Sequence, residues 1–197
     1  ISTANTIIDR LPVSEVSEEQ KTIAEAKARF FRGFAYRTLA YLYGGVPLLL
    51  TEVVEPKFDY VRASKEEVLK QALTDVEFAA THLPSLSSVQ DGEVSNAAAY
   101  HLLSELYLAT AQYQKAVDAA TTVIDDPATG LMYTRFGSRA NEVPGDVYWD
   151  LFRKNNQNRG SGNTEGIWVI QIETDTPGGS GSLTAKDQTY TLERHHA

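Results

Sequence analysis

The sequence predicts a mainly α-helical protein, in which tetratricopeptide-like helical hairpin repeats are followed by an irregular region with little β structure. Residues 24–47 carry apolar side chains at steps of three and four, the period of a helix with one buried side. An aromatic–leucine–small–tyrosine spacing occurs twice, in Tyr36-x2-Leu39-Ala40-x2-Tyr43 and Tyr100-x2-Leu103-Ser104-x2-Tyr107. Each copy precedes a second helical pattern that carries small residues and ends near a proline, which is the outline of a tetratricopeptide hairpin.

The first two helices have recognisable ends. Residues 1–11 are predicted to form a short helix, the second half of a first hairpin. The long helix is predicted over 18–43, because Ser17 and Gln20 have the spacing of a capping box. Gly44-Gly45 ends it, since glycine tolerates a left-handed helix terminus.

A long connection over residues 44–63 follows the long helix. Helical hairpins usually close in a few residues, and connections of this length are often functional. A second capping box at Ser64 opens a helix predicted over 65–82. The helices predicted over 95–111 and 113–125 form the cleanest hairpin.

Two regions are expected in one domain. Residues 1–130 form the helical repeat region with the inserted loop 44–63, and residues 131–197 form an irregular, loop-rich region. Gly166 to Glu173 alternates and is β-branched, which predicts a short strand in the second region. Trp168 within it is expected to pack in the core, as are the tyrosines of the repeated spacing.

Composition excludes several function classes. The net charge is −8, whereas a nucleic-acid binder needs a basic surface to neutralise phosphates. The chain has no cysteine, which excludes disulfides, thiolate catalysis and cysteine-ligated metals. No apolar stretch is long enough to span a bilayer, and no secretory signal opens the chain. Both ends look cut, so we expect the natural protein to extend in both directions.

Two stretches have the mixture of aromatic and polar side chains that a glycan site needs. Aromatic rings stack on the apolar faces of sugars, and amides and charged groups bind the hydroxyls. The candidate residues in the inserted loop are Phe58, Asp59, Tyr60 and Arg62. The candidates in the second stretch are Trp149 and Asn155, and the same stretch also contains Tyr148, Asp150, Arg153, Asn156 and Asn158. The alternative is that these aromatics pack the irregular part against the repeats.

No cofactor, metal site or catalytic group is expected. The four histidines do not have metal-ligand spacing, and a lone helix histidine such as His101 is usually structural. Carboxylate pairs such as Asp125-Asp126 are better explained by helix ends and surface positions. The chain has no glycine-rich phosphate loop, zinc-helix motif or serine elbow.

The ordered combination of segments resembles the SusD/RagB family over roughly residues 1–173. The segments that carry the resemblance are AEAKARFFRGFAYRTLAYLYGGVPLLL, Arg62-x-Ser64-x2-Glu67-Val68 leading to Leu83-Pro84, NAAAYHLLSELYLATAQYQKAVDAATTVI and YWDLFRKNNQNRGSGNTEGIWVIQIE. The combination is specific, although no single segment is.

The resemblance implies a lipoprotein on the outer membrane of Bacteroidetes. It implies binding of an oligosaccharide or polysaccharide and association with a TonB-dependent transporter of the SusC type. Contact with the membrane would be only through a lipid on an N-terminal cysteine, which this chain lacks. The family's sugar site also uses a C-terminal region that is mostly missing here.

The leading hypothesis is therefore a non-enzymatic glycan-binding protein of nutrient uptake. A helical-repeat module that binds a protein and no sugar is the alternative, which explains the repeats but neither the long insertion nor the region after residue 130. A glycoside hydrolase is the third hypothesis, because two carboxylates facing across a sugar cannot be recognised in one sequence.

Overall fold

The structure is a computed structural model that describes residues 1–171. Its α-helices are α1 (Ser2–Arg10), α2 (Glu18–Tyr43), α3 (Lys65–His82), α4 (Asn96–Ala109), α5 (Tyr113–Ile124) and α6 (Val147–Leu151). The predicted mainly helical fold is thus confirmed. The bounds of α2 and α3 match the prediction, while α4 and α5 are slightly shorter than predicted.

The helix ends form as the sequence predicts. Ser17 Oγ accepts a hydrogen bond from the backbone N–H of Gln20 over 3.3 Å, and Gln20 Oε1 accepts one from Ser17 N over 3.2 Å. The same reciprocal pair joins Ser64 and Glu67 at the start of α3. Gly44 has a φ of +71°, a conformation that favours glycine, and it ends α2.

Helices that follow one another in the chain pack on one another, from α1 on α2 to α4 on α5. The core formed by the four helices α2 to α5 consists mainly of alanine, leucine and valine side chains. At Gly33 of α2, a Cβ atom would lie 2.5 Å from Val76 Cγ2 and 3.0 Å from the carbonyl oxygen of Ala72. At Gly33, α2 and α3 are therefore closer than a residue with a Cβ atom would allow.

The repeated spacing contributes unequally to the core. Tyr36 and Tyr107 are buried and Tyr100 is half-buried, as expected for packing positions. Tyr43 is exposed, so the prediction that it packs is wrong. It is the last residue of α2, where the chain leaves the helix for the loop.

The strand predicted for residues 166–173 is absent from residues 166–171, the part of it that the structure describes. An alternating pattern becomes a strand only beside a pairing partner. Ile167 and Trp168 instead pack on the helical core. The Trp168 ring centroid lies 5.6 Å from that of Phe30, and its Nε1–H donates to Gly92 O over 3.2 Å. The predicted core role of Trp168 is thus confirmed.

Candidate functional site

A buried polar network lies beneath the loop that joins α2 to α3. Arg32 donates to both carboxylate oxygens of Asp75, from Nε over 2.8 Å and from Nη2 over 2.7 Å. Arg32 Nη1 donates to Asn5 Oδ1 over 2.9 Å and to Leu50 O over 3.1 Å. Arg32, Asp75 and Asn5 are all buried. Such a pair is tolerated in the interior because its hydrogen-bonding groups find partners.

The first half of the loop is held against the helices by further hydrogen bonds. The hydroxyl of Tyr36 donates to Leu49 O over 2.9 Å and accepts from Leu49 N over 2.6 Å. Asn5 Nδ2 donates to the same Leu49 carbonyl over 2.8 Å. Burial raises the pKa of Tyr36, which keeps its hydroxyl protonated and able to donate. Glu52 then pairs with Arg10 over 2.6 Å.

Arg62 closes the base of the loop. Its Nη2 donates to Tyr43 O over 2.6 Å, and its Nε donates to Gly45 O. Beside it, Ala63 N donates to Val46 O over 3.1 Å. The guanidinium of this candidate residue therefore binds the loop's own backbone, and a role toward a ligand stays a prediction.

Residues 53–61, the loop tip, extend from these anchors toward solvent. Phe58 is 92% exposed and Tyr60 is 45% exposed, which confirms the predicted surface position of both rings. The Asp59 carboxylate is also exposed and lies 3.8 Å from Lys57 Nζ. Phe58 lines a groove along residues 48–59, whereas Tyr60 lines a different groove beside α1. Binding by these residues stays a prediction.

A second surface is formed around α6. Asp146 Oδ1 accepts from Trp149 N over 2.7 Å and caps the helix. Asp150 is fully buried and accepts from Arg135 Nε over 2.5 Å and from Phe136 N over 3.2 Å. The hydrogen bond from Arg135 holds the pKa of Asp150 below its ordinary value, despite the desolvation that opposes it. These bonds fix α6 to residues 135–136.

Trp149 is half-buried and surrounded by arginines. The guanidinium carbon of Arg153 lies 3.1 Å from the centroid of the indole, and those of Arg139 and Arg135 lie 5.6 and 5.7 Å away. Cations favour this position because the face of an aromatic ring is electronegative. The indole face beneath Arg153 is therefore not free to stack on a sugar.

The exposed rings of this surface are those of Tyr148 and Phe152. They are 72% and 71% exposed, and their centroids lie 5.0 Å apart. Together with Trp149 and Pro144 they line an open groove, which we call the α6 groove. Sequence reasoning misses Phe152, although its spacing of four from Tyr148 places both rings on one side of a helix.

Two neighbouring asparagines have different positions. Asn155 is exposed with a φ of +71°, and its predicted role in binding is untested by this geometry. Asn156 is fully buried: Nδ2 donates to Asp150 O over 3.0 Å and to Phe136 O over 3.3 Å. Its Oδ1 accepts from Ser138 N over 3.4 Å. Asn156 therefore supports the loop and Asp150 anchors α6, so the prediction that these two buried side chains belong to a hydroxyl-binding set is wrong.

Other kinds of site are not found in residues 1–171. No three His, Asp or Glu side chains there are placed to hold a metal ion. His82 instead stacks on Phe78 with ring centroids 4.1 Å apart. None of the helices in these residues has both the length and the apolar character of a membrane span.

Comparison with known proteins gives a consistent result. Residues 1–108 match the model of a SusD-like family described as starch-binding and associating with the outer membrane. SusD-like protein P25 of Formosa agariphila is 23% identical over 181 residues, which are 90% of this chain and 31% of that protein. The chain thus spans about a third of that relative's length.

Solved structures share the fold. A SusD superfamily protein of Bacteroides thetaiotaomicron superposes with a TM-score of 0.73 at 21% identity, over 91% of this chain and 38% of that one. A laminarin-binding SusD-like protein superposes with a TM-score of 0.61 at 27% identity, over 68% of this chain and 31% of that one. Since the family model covers more than half of the chain, the protein belongs to the SusD-like family.

Proposed function

We propose that the full-length protein captures an oligosaccharide at the cell surface, without catalysis, for import by a SusC-like TonB-dependent transporter. The observation that carries the proposal is the pair of exposed rings, Tyr148 and Phe152, in a member of this family. The family description supports a place at the outer membrane. The extracellular face and a lipid anchor in the full-length protein are further parts of this proposal.

The α6 groove has the chemistry that a sugar ring requires. Large exposed rings side by side are unfavourable in water unless a ligand or partner covers them. Tyr148 and Phe152 offer two apolar faces, and the carboxylate of Asp146 lies in the same groove. Trp149 also lines the groove. Asn155 is an exposed amide three residues after Phe152 in the sequence.

The loop tip is the second contact that we propose. Its exposed Phe58, Asp59 and Tyr60 are held between fixed anchors at Glu52 and Arg62. Two exposed rings on a loop with a fixed base suit contact with a glycan or with the transporter. The α6 groove and the grooves beside the loop have no lining residue in common.

The test uses the full-length protein and two double variants. We expect Tyr148→Ala with Phe152→Ala to weaken glycan binding at least tenfold, a loss of about 1.4 kcal/mol. Phe58→Ala with Tyr60→Ala should weaken either glycan binding or co-purification with the transporter. Titration calorimetry against a panel of neutral and acidic glycans that includes laminarin, together with a pull-down of the transporter, measures both effects.

The matched control is Leu131→Ala with Tyr133→Ala, which removes two exposed apolar side chains outside both surfaces and outside α5. It should leave both measurements unchanged, and all three variants should keep the parent's circular dichroism. Binding in the α6 variant equal to that of the parent would exclude the α6 groove. Release of reducing sugar from the same panel would contradict the non-enzymatic assignment.

A protein-binding module without sugar binding is the second candidate. It is favoured by an exposed apolar row on α5, which consists of Tyr113, Val117 and Ile124. If this candidate is right, the full-length protein binds no glycan of the panel, and Val117→Asp abolishes its association with the transporter.

A further inference from the structure

Basic residues are concentrated around α6 in an otherwise acidic chain. Residues 1–130 contain eleven Lys and Arg against eighteen Asp and Glu. Residues 131–160 contain five Lys and Arg against three Asp and Glu, so the sign of the net charge reverses. Local charge of one sign attracts ligands of the other.

Two of these five cations are neutralised by carboxylates. Arg135 pairs with Asp150 over 2.5 Å, and Arg139 pairs with Glu142. Within residues 1–171 the other three, Arg153, Lys154 and Arg159, form no ion pair with a carboxylate. Arg159 is occupied by backbone, since its Nη2 donates to Ala128 O over 2.6 Å. Arg153 and Lys154 therefore remain as the uncompensated charges next to α6.

Arg153 is held in position by its cation–π contact with Trp149 and not by an ion pair with a carboxylate of residues 1–171. Its guanidinium stacks 3.1 Å from the centroid of Trp149, and its buried Nε has no hydrogen-bond partner among the described residues. A planar cation fixed by stacking loses little freedom when it binds a carboxylate or sulfate. Trp149 lines the α6 groove, so the cation stands next to the exposed rings of Tyr148 and Phe152.

The third carboxylate of this segment does not cancel these charges directly. Asp146 lines the α6 groove. Its Oδ1 accepts a hydrogen bond from Trp149 N over 2.7 Å, so this oxygen faces the free N–H groups at the start of α6. The groove thus offers exposed rings for a sugar, and Arg153 and Lys154 follow its last lining residue, Phe152, in the chain.

We propose that the α6 groove binds an acidic oligosaccharide, whose carboxylate or sulfate group pairs with Arg153 and Lys154. This inference rests on the proposed glycan binding and names the class of glycan. Tyr148 and Phe152 contact the sugar ring, and the two cations select against neutral sugars.

The experiment measures binding of matched charged and neutral ligands to the full-length protein by titration calorimetry. Oligogalacturonate and its methyl ester test a carboxylate, and sulfated carrageenan oligosaccharides and their desulfated forms test a sulfate. We expect at least one charged member to bind roughly tenfold or more tightly than its neutral partner, with affinity that falls as salt rises. The arm that shows this preference identifies the acidic group.

The variants are Arg153→Gln and Lys154→Gln, each of which should remove most of the preference for the charged ligand. Lys70→Gln makes the same charge change at an exposed position on α3 and should have no effect. Since Lys154 is exposed, its variant remains informative even if Arg153→Gln perturbs folding. Equal affinity for charged and neutral partners in both arms overturns this inference while glycan binding stands. Failure to bind any sugar, charged or neutral, overturns both proposals.

Discussion

Between residues 18 and 124 four helices bury mainly alanine, leucine and valine, whereas the segment from 135 to 163 buries Asp150, Asn156 and Asn163. Helices satisfy their own backbone hydrogen bonds, so their packing faces can be apolar. Irregular backbone has no such internal partners and needs side chains to supply them.

The loop between α2 and α3 lies on the helices, but like the segment from 135 to 163 it depends on polar side chains to satisfy its backbone. Asn5, Arg32 and Tyr36 hydrogen-bond the carbonyls of residues 49–51. The helical body is thus specified by the size and shape of its side chains, and the candidate surfaces by polar anchors.

The largest expected effect comes from breaking a polar anchor. Asp75→Ala leaves Arg32 buried without its carboxylate, and we expect the free energy of unfolding to fall by about 3–5 kcal/mol. Urea unfolding of the full-length protein, followed by circular dichroism, measures the change. Glu18→Ala is the control, because its ion pair with Lys21 is solvent-exposed and should contribute less than about 1 kcal/mol. Equal losses in the two variants would contradict the anchoring role of Asp75.

A smaller effect comes from overfilling the apolar core. Ala116 on α5 is buried in the core, where α5 packs on α4. The sequence predicts that it faces Ser104 and Tyr107 of α4. Ala116→Leu should lower the free energy of unfolding by roughly 1–3 kcal/mol, because the added atoms have no space. Val117→Leu enlarges the exposed neighbour and should change it little. An unchanged midpoint for Ala116→Leu would show that Ala116 does not face its partner helix.

The smallest effect is a local response of the α6 surface to acid. Because the folded protein lowers the pKa of Asp150, the ionised carboxylate stabilises the fold above its ordinary pKa of about 3.9. That contribution is lost as the pH falls through the lower, folded value. The protection factors of the amides of residues 135–153, taken relative to the intrinsic exchange rate at each pH, should therefore fall in acid.

The matched variant for the acid response is Asp150→Asn, which cannot titrate. It should lose protection of residues 135–153 already at neutral pH and should show no further acid step there. An acid step of the same size in this variant would assign the response to another carboxylate.

Sequence predicts the helices well because their signals are local. The capping boxes at Ser17 and Ser64 and the period of apolar residues lie within single elements. The strand at 166–171 is predicted wrongly because strand formation depends on a partner elsewhere in the chain. Trp168 instead packs on Phe30 and Phe34 of α2 and donates to Gly92 O, contacts that a local pattern does not reveal.

The sequence predicts which stretches carry the candidate sites, but not which partners their side chains contact. The exposure of Phe58 and Tyr60 follows from their place on a long loop. The partners of Arg32 do not follow from sequence, since Asn5 and Asp75 are 27 and 43 positions away. The same holds for Trp149, since Arg135 and Arg139 precede it by more than two helical turns of sequence and Arg153 follows it.

The anchors at Glu52 and Arg62 also determine how freely the segment between them can vary. The entropy of closing a loop depends weakly on its length, and each doubling costs only about 0.6 kcal/mol once the ends are fixed. Glu52 is fixed by Arg10, and Arg62 is fixed by carbonyls at the end of α2. The nine residues 53–61 between them can therefore change in sequence and length at little cost in stability. Insertions and deletions there would change the exposed tip without altering the repeat beneath it, which makes this segment a place where relatives can differ in length and composition.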